Sequence, residues 1–360
     1  SYSKSIKEWE AWNRHNLMGG PAEVKIHHSW FGLKPEEDFE THPEWFALTG
    51  GERRPTKPCY SHPEVIERAR EYTLARARRG EPMITLSPPD GLGYCECDRC
   101  LKVLRGGERM REHRTVFARR PDGMLVNLTS ENLFHFVNEV AGALSDRFPH
   151  TLIGCYAYSA YSHPPSFSLH DQVYVQVTTA FRRTSLSMAD QFEAFGLKTR
   201  QLGVREYYSV YPWDWDEPYP GRVAPQRLKK DLTFFRNKGI TAVNAEASNN
   251  WGARGLGYYV AARLMWDLRQ DVDEIVDDFL TRAFGPAADA MGRYYHHWYG
   301  TDEERKKADV PTLRAAFADL DQAMEAAGDD KAVVARLDQL RMYLHYLVLR
   351  RKVECAGKAD

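Results

Sequence analysis

Short apolar runs, rich in β-branched and aromatic residues, alternate over the first two thirds of the chain with longer stretches of helical period. The runs predict strands over Glu23–Trp30, Pro82–Ser87, Leu152–Tyr158, Gln172–Thr178, Leu202–Ser209 and Ile240–Ala247. Helical periodicity predicts helices between them. One begins at Ser61, where Ser61-His62-Pro63-Glu64 reads as a capping box with Glu64 reaching back, and continues to Arg79. Glu131–Phe148 is stopped by Pro149, Met188–Arg200 follows, and Pro225–Lys238 ends at Gly239, the expected left-handed C′ position. Strand followed by helix, repeated, predicts a parallel sheet. The expected fold class is α/β, a (β/α)8 TIM-type barrel. Six of its eight strands are visible, and the other two are expected ahead of residue 1, because Ile6–Asn16 reads as a helix that follows a strand. An open or incomplete barrel is the alternative. Past about residue 255 the pattern turns wholly helical, over Tyr258–Leu268, Val272–Phe284, Ala287–Tyr299, Thr312–Ala327 and Lys331–Glu354. The expected organisation is a barrel domain over 1–255 and a helical C-terminal region over 256–360.

The chain has 360 residues, which suits one large barrel with an appendage, and 43% of them are hydrophobic, enough for a full core. Lys plus Arg total 49 against 50 acidic residues, so the net charge is −1, and a nucleic-acid partner is not expected. No apolar run approaches the length of a membrane span, and Ser1–Glu10 has no apolar signal core. Aromatic residues reach 12%, with nine Trp and nineteen Tyr. Core packing accounts for most of them. It accounts less well for clusters in loops, where flat aromatic faces suit sugar rings.

Of the six cysteines, Cys95, Cys97 and Cys100 crowd one loop. Thiolates at this spacing commonly share a metal, and Cys59 is the candidate fourth ligand. Four cysteines would make a closed, structural zinc site. Disulfides in an oxidising compartment and free thiols in a reducing one remain the other readings. Cys155, inside a predicted strand, reads as a small buried residue.

Parallel barrels carry their chemistry at the C-terminal ends of the strands, so the strand exits hold the candidate residues. The first exits at His27-His28-Ser29-Trp30, where one histidine can face a cleft and His28 and Trp30 are candidate substrate contacts. The second exits at Ser87-Pro88-Pro89-Asp90-Gly91, a carboxylate on a rigid turn. A turn aspartate capping its own backbone is the competing reading. Tyr156 and Tyr158 share a face of the third. Glu206 sits in an otherwise apolar strand, where a charge is costly unless paired or functional. Tyr208 and Trp213 follow it. The last exit runs Asn244-Ala245-Glu246-Ala247-Ser248-Asn249-Asn250-Trp251, with polar residues alternating onto one face. Three carboxylates among aromatics fit glycosidic bond cleavage, which needs a proton donor and a group that stabilises an oxocarbenium-like centre. The expected roles are Glu206 as acid/base, Asp90 as the orienting or stabilising carboxylate, and Glu246 in reserve. The substrate contacts are His28, Trp30, Tyr156, Tyr158, Tyr208, Trp213, Asn249 and Trp251. Catalysis so read needs no cofactor.

The stretch His42-Pro43-Glu44-Trp45-Phe46-Ala47 with Gly51 and Arg53, then Cys59, Ser87-Pro88-Pro89-Asp90-Gly91, Tyr94-Cys95-Glu96-Cys97 and Cys100, resembles a bacterial family long classed as a domain of unknown function. Leu264-Met265-Trp266-Asp267 and Asp271-Val272-Asp273 extend the likeness to roughly residues 25 to 290. That family includes glycoside hydrolase family 163, endo-β-N-acetylglucosaminidases of complex N-glycans. The resemblance implies a (β/α)8 barrel, a retaining mechanism assisted by the substrate's acetamide, and an extracellular or periplasmic location. Many acetamide-assisted enzymes carry two adjacent acids after one strand, whereas here Asp90 stands between Pro89 and Gly91. Competing functions are an inactive carbohydrate-binding protein on the same scaffold, a uronic-acid hydrolase or lyase using Arg182 and Arg183, and a zinc-stabilised interaction module. Oligomeric state is not legible.

Overall fold

The computed structural model describes residues 7, 8, 11, 15, 24–103, 108–112, 115–121, 123–210, 218, 219, 221–247, 251–299 and 308–356, with the backbone alone at 111, 112, 115, 251 and 253. The expected helix Ile6–Asn16 lies almost wholly outside them. The chain divides into two compact units. One holds Ala22–Glu206 with Arg236–Asn244, and the other holds Tyr207–Phe235 with Ala245–Asp360 and the first residues.

In the first unit, α1 (Pro35–Thr41) leads into a hairpin of β1 (Phe46–Thr49) and β2 (Glu52–Pro58), turned at Gly50 and Gly51. Helix α2 (Pro63–Ala77) then precedes β3 (Met83–Thr85). The helix starts at Pro63 with His62 as N-cap and no side-chain cap bond. The capping box is therefore corrected. Glu64 accepts from Trp45 Nε1 at 2.6 Å, and Ser61 donates to Asn132 at 2.7 Å, so both side chains have tertiary partners instead. A short α3 (Asp98–Lys102) follows, then an antiparallel sheet of β4 (Glu108–Glu112), β5 (Thr115–Arg119) and β6 (Leu125–Asn127). Helix α4 (Leu128–Ser145) is capped by Asn127, which accepts from the Ser130 N–H. Then come β7 (Leu152–Ser159), β8 (Val173–Arg182), α5 (Met188–Gly196) and β9 (Gln201–Tyr207).

The main sheet has the order β10-β9-β8-β7-β3, where β10 spans Val243–Glu246. The pairings of β3, β7, β8 and β9 are parallel, as the strand–helix alternation predicts. In this sheet five strands form ladders among the described residues, where the sequence predicts six and a closed barrel has eight. The expected first strand has no ladder over 24–30. It still lies against β3, with the Ser29 N–H donating to the Ser87 carbonyl at 2.9 Å and Thr85 Oγ1 to the His27 carbonyl at 2.6 Å. At the other edge, Asn244 of β10 donates to the Val24 carbonyl at 3.4 Å. The two ends of the strand series thus meet, and the sheet curls on itself.

Register defines the two faces, since partners in a parallel ladder point the same way. Ile153, Cys155 and Ala157 share one face with Val173, Val175 and Val177 and with Leu202, Val204 and Glu206. Apart from Glu206, this face is apolar, as a parallel sheet buried under helices requires. The inner face carries Gly154, Tyr156, Tyr174, Gln176, Thr178, Gly203 and Arg205. Its lower layer is filled tightly. A Cβ at Gly154 would lie 2.6 Å from Ile26, and one at Gly203 would overlap the Tyr174 hydroxyl. Small residues here admit large ones from neighbouring strands, the interdigitation of a barrel core.

The second unit is helical: α6 (Pro225–Asn237, to Phe235 in this unit), α7 (Trp251–Trp266), α8 (Val272–Phe284), α9 (Ala288–Tyr299), α10 (Val310–Ala327) and α11 (Lys331–Ala356). Gly239 adopts φ +75°, as the sequence predicts for the residue ending α6. Asp271 caps α8 by accepting from the Asp273 and Glu274 N–H groups. Buried positions on α10 (Leu313, Ala316, Leu320, Ala323, Ala327) and α11 (Val333, Leu337, Leu340, Leu344, Leu347) recur at alternating spacings of three and four, one apolar seam on each helix. Among the described residues, no helix is long and apolar enough to cross a membrane.

Candidate active site

The first unit gathers its polar side chains where the strands end. Asp90 follows β3 on the Pro88-Pro89 turn. Gly91 supplies φ +92°, which a residue with a Cβ adopts at a cost, and its N–H donates to Asp90 Oδ1 at 2.7 Å. Asp90 thus caps its own turn, and the same Oδ1 is the oxygen that faces His28. That side chain is 65% exposed and stands 3.7 Å from His28 Nε2. His28 Nδ1 lies 2.6 Å from the Pro88 carbonyl. A carbonyl only accepts, so Nδ1 carries the proton and Nε2 is the nitrogen turned to Asp90. The imidazole also packs edgewise on Tyr156 at 5.7 Å and against Tyr158 at 5.6 Å.

Lys57, on β2, was not singled out from sequence. It is 1% exposed, its ammonium donates to the Asp90 carbonyl, and it lies 5.7 Å from the Tyr94 ring centroid. Burial pulls its pKa down to about 8, an effect that the charge of Asp90 partly offsets. A buried cation thus holds the Asp90 turn from beneath. In the sequence it is one lysine in the polar run Glu52–Pro58, with nothing to mark it as buried.

Tyr156 is buried on the inner face, with its hydroxyl donating to the Ile26 carbonyl and the Arg205 guanidinium 6.0 Å above its ring. Arg205 also donates to Asn244. Arg205, rather than Glu206, therefore shares a face with Tyr156. Glu206 is 2% exposed on the opposite face and accepts from Thr179 Oγ1 at 2.8 Å. Gln176 is fully buried on the inner face, beside Tyr156 in the ladder. Tyr158 is half-buried against Phe181 and Tyr161, and Trp30 is half-buried at 6.3 Å from Phe46. Two of the three non-glycine residues with positive φ among the described residues, Ser159 (φ 47°) and Phe181 (φ 56°), sit at or near the ends of β7 and β8. Strained backbone of this kind clusters at functional sites.

In the second unit, Glu246 is half-buried at the end of β10, and its carbonyl accepts from the Tyr208 N–H at 2.8 Å. Tyr208 itself is buried. Trp213 and Asn249, and the side chain of Trp251, lie outside the described residues. The basic pair proposed for a uronic acid is partly committed elsewhere, since Arg182 donates to Gln191 at 2.5 Å and to the Leu186 carbonyl at 2.6 Å. A depression of about 780 Å³ among α8, α9 and α10 is lined by Asp277, Arg293, His297 and Asp319. Its polar groups pair with one another: Asp319 accepts from Arg293 at 3.1 Å and from His297 at 2.8 Å.

The four cysteines Cys59, Cys95, Cys97 and Cys100 are buried, with their sulfurs all within 4.8 Å of one another. Cys59 follows β2, and the other three lead into α3. Asn132 of α4 holds the group by donating to the Cys100 carbonyl at 3.1 Å.

A parallel sheet curled around a polar inner face, with a helical region following, is an α/β-barrel-like architecture. Among solved structures, a mutant of the O-GlcNAc hydrolase of Thermobaculum terrenum shares this fold. The TM-score is 0.51 at 10% identity, over 94% of this chain and 78% of that one. A second, CpGH84B, aligns with a TM-score of 0.49 at 10% identity, over 100% of this chain and 68% of that one. No curated protein matches the sequence. The family model described as Domain of unknown function (DUF4838) matches residues 1–297, and the chain belongs to that family.

Proposed function

We propose that this protein is a glycoside hydrolase that cleaves a glycosidic bond next to an N-acetylhexosamine, with retention of configuration and help from the substrate's acetamide. The observation that carries this reading is Asp90: an accessible carboxylate on a rigid turn at the C-terminal end of a parallel strand, faced by His28 and held from below by Lys57. Such placement suits a carboxylate that orients an acetamide and stabilises positive charge at the anomeric carbon. The name of the Thermobaculum terrenum relative, an O-GlcNAc hydrolase, points to the same sugar. The narrower kinship with endo-β-N-acetylglucosaminidases of family 163, and with it a complex-glycan substrate met outside the cytoplasm, belongs to this proposal.

The acid/base must reach the glycosidic oxygen. Glu206, enclosed and bonded to Thr179, suits a positioning role at the end of β9. Glu246, half-buried at the end of β10, suits proton transfer. Glu246, rather than Glu206, is therefore the proposed acid/base.

The test is hydrolysis of a panel of N-acetylhexosamine-containing glycans by the full chain, with the product anomer read by NMR. Retention is the expected result. Inversion would overturn the mechanism, and glycan binding without released reducing ends would leave a binding protein in its place. Asp90→Asn and Glu246→Gln, made separately, should each lower kcat by orders of magnitude with the fold intact. Glu206→Gln should lower it far less. The reverse order would return the acid/base to Glu206.

A further inference from the structure

We propose that Cys59, Cys95, Cys97 and Cys100 bind one Zn²⁺ as four thiolates, and that this ion fixes the turn bearing Asp90. The inference does not depend on which bond the protein cleaves.

The geometry is that of a tetrahedral site before any ion is considered. With zinc–sulfur bonds of about 2.3 Å, the edges of a regular tetrahedron of sulfurs are about 3.8 Å. Cys59 Sγ lies 3.7 Å from Cys97 Sγ and 3.8 Å from Cys100 Sγ, and no pair in the group exceeds 4.8 Å. A disulfide needs sulfurs about 2.05 Å apart, so the group is not arranged as two disulfides. Four thiols converging on one buried point from two separate chain segments have little to gain from packing alone. Sulfur is a weak hydrogen-bonding partner; Ala47 and Leu48 pack on the group, and Cys100 Sγ donates to Ser61 Oγ at 3.4 Å.

Charge is also accounted for. Four thiolates around a divalent ion carry a net charge of −2. The Leu48 N–H points to Cys95 Sγ at 3.3 Å, and the Arg53 guanidinium lies 4.0 Å from the same sulfur. Arg53 is held in place by the Glu44 carbonyl at 3.2 Å and the Phe46 carbonyl at 2.5 Å. All four sulfurs belong to buried residues, so no coordination position is left for water and the ion has a structural role. The d¹⁰ zinc ion accepts this thiolate tetrahedron without a redox change.

The position of the site gives it a task. The chain between Cys59 and Cys95 contains α2, β3 and the Asp90 turn, and the Glu96 N–H ties the far side of that turn to the Leu48 carbonyl at 2.9 Å. An ion at the cysteines closes this loop and anchors the Asp90 turn on both sides. A closed loop loses far fewer conformations on folding than an open one.

The experiment uses the full chain as purified. Elemental analysis should find stoichiometric zinc, and a mercurial thiol reagent should release it while a chromogenic indicator follows the free ion. Cys97→Ser combined with Cys100→Ser should abolish binding. Because that variant can fail to fold, wild-type chain loaded with Co²⁺ provides the second readout, with the intense ligand-field absorption of tetrahedral cobalt tetrathiolate expected. Stoichiometric iron, two disulfides found by mass spectrometry, or a metal-free native chain with four freely reactive thiols would each overturn the proposal.

Discussion

Gly203 occupies a place on the inner face that the Tyr174 phenol end fills, and the Tyr174 hydroxyl in turn reaches Thr241 at 3.4 Å. A methyl group at Gly203 would overlap the tyrosine hydroxyl. Gly203→Ala should therefore destabilise the fold by about 1–3 kcal/mol, the cost of overpacking a full core, and thermal unfolding will show it. Tyr174→Phe in the same chain should recover part of the loss, because it removes the overlapping atom. A Gly203→Ala chain as stable as wild type would overturn this tight packing of the inner face. At this scale the sequence is legible only where chemistry and position coincide. Asp90 announced itself through Pro88, Pro89 and Gly91. Glu206 announced itself as a charge in an apolar strand, yet that pattern gives no sign of which face is inside. Counting by twos from Tyr156 through the ladder to Arg205 needs the register, which three-dimensional pairing supplies. Lys57 was invisible for the same reason, since its burial comes from Tyr94 and Asp90, distant along the chain.

Helices α7 and α8 are joined by one carboxylate. Asp278 accepts from the Tyr259 hydroxyl at 2.5 Å, from Arg263 at 2.9 Å and from Arg282 at 2.6 Å. The Tyr259 hydrogen bond, together with Arg282 and Arg263, holds its pKa below the usual aspartate value of 3.8. A carboxylate with a depressed folded-state pKa contributes stability that is complete above its unfolded pKa and disappears as pH falls through the folded one. Asp278→Asn should thus cost about 1 kcal/mol at neutral pH, on the scale of a partly screened charged hydrogen bond. The gap to wild type should close below pH about 4, the unfolded aspartate value. Chemical denaturation across this range will check it, and a pH-independent gap would assign the effect to packing instead. The helices of this region were legible because their apolar seams recur at three and four. α8 spans Val272–Phe284, where its periodicity predicts it. The two small antiparallel sheets were not. β4 reads Glu-Arg-Met-Arg-Glu, and β2 reads Glu-Arg-Arg-Pro-Thr-Lys-Pro, with polar residues on both faces. Strands that bury little carry no alternation to detect.

For the whole molecule, strand–helix alternation was enough to predict a parallel sheet, and the late change to helices marked the C-terminal region. Strand number was less legible. The run over 24–30 has strand composition but forms no ladder, since composition records burial while a ladder needs an aligned neighbour. The edge it forms with Asn244 has a dynamic consequence. A hoop fastened at its seam by a side chain opens there first, while interior strands such as β7 and β8, laddered on both sides, hold. Amide hydrogen exchange should report this as early labelling across 24–30, ahead of β7 and β8. Asn244→Ala should quicken the seam and leave the interior strands at their native rate. His27, His28 and Trp30 all lie on that segment, so a breathing seam would let these side chains shift without unfolding the sheet behind them.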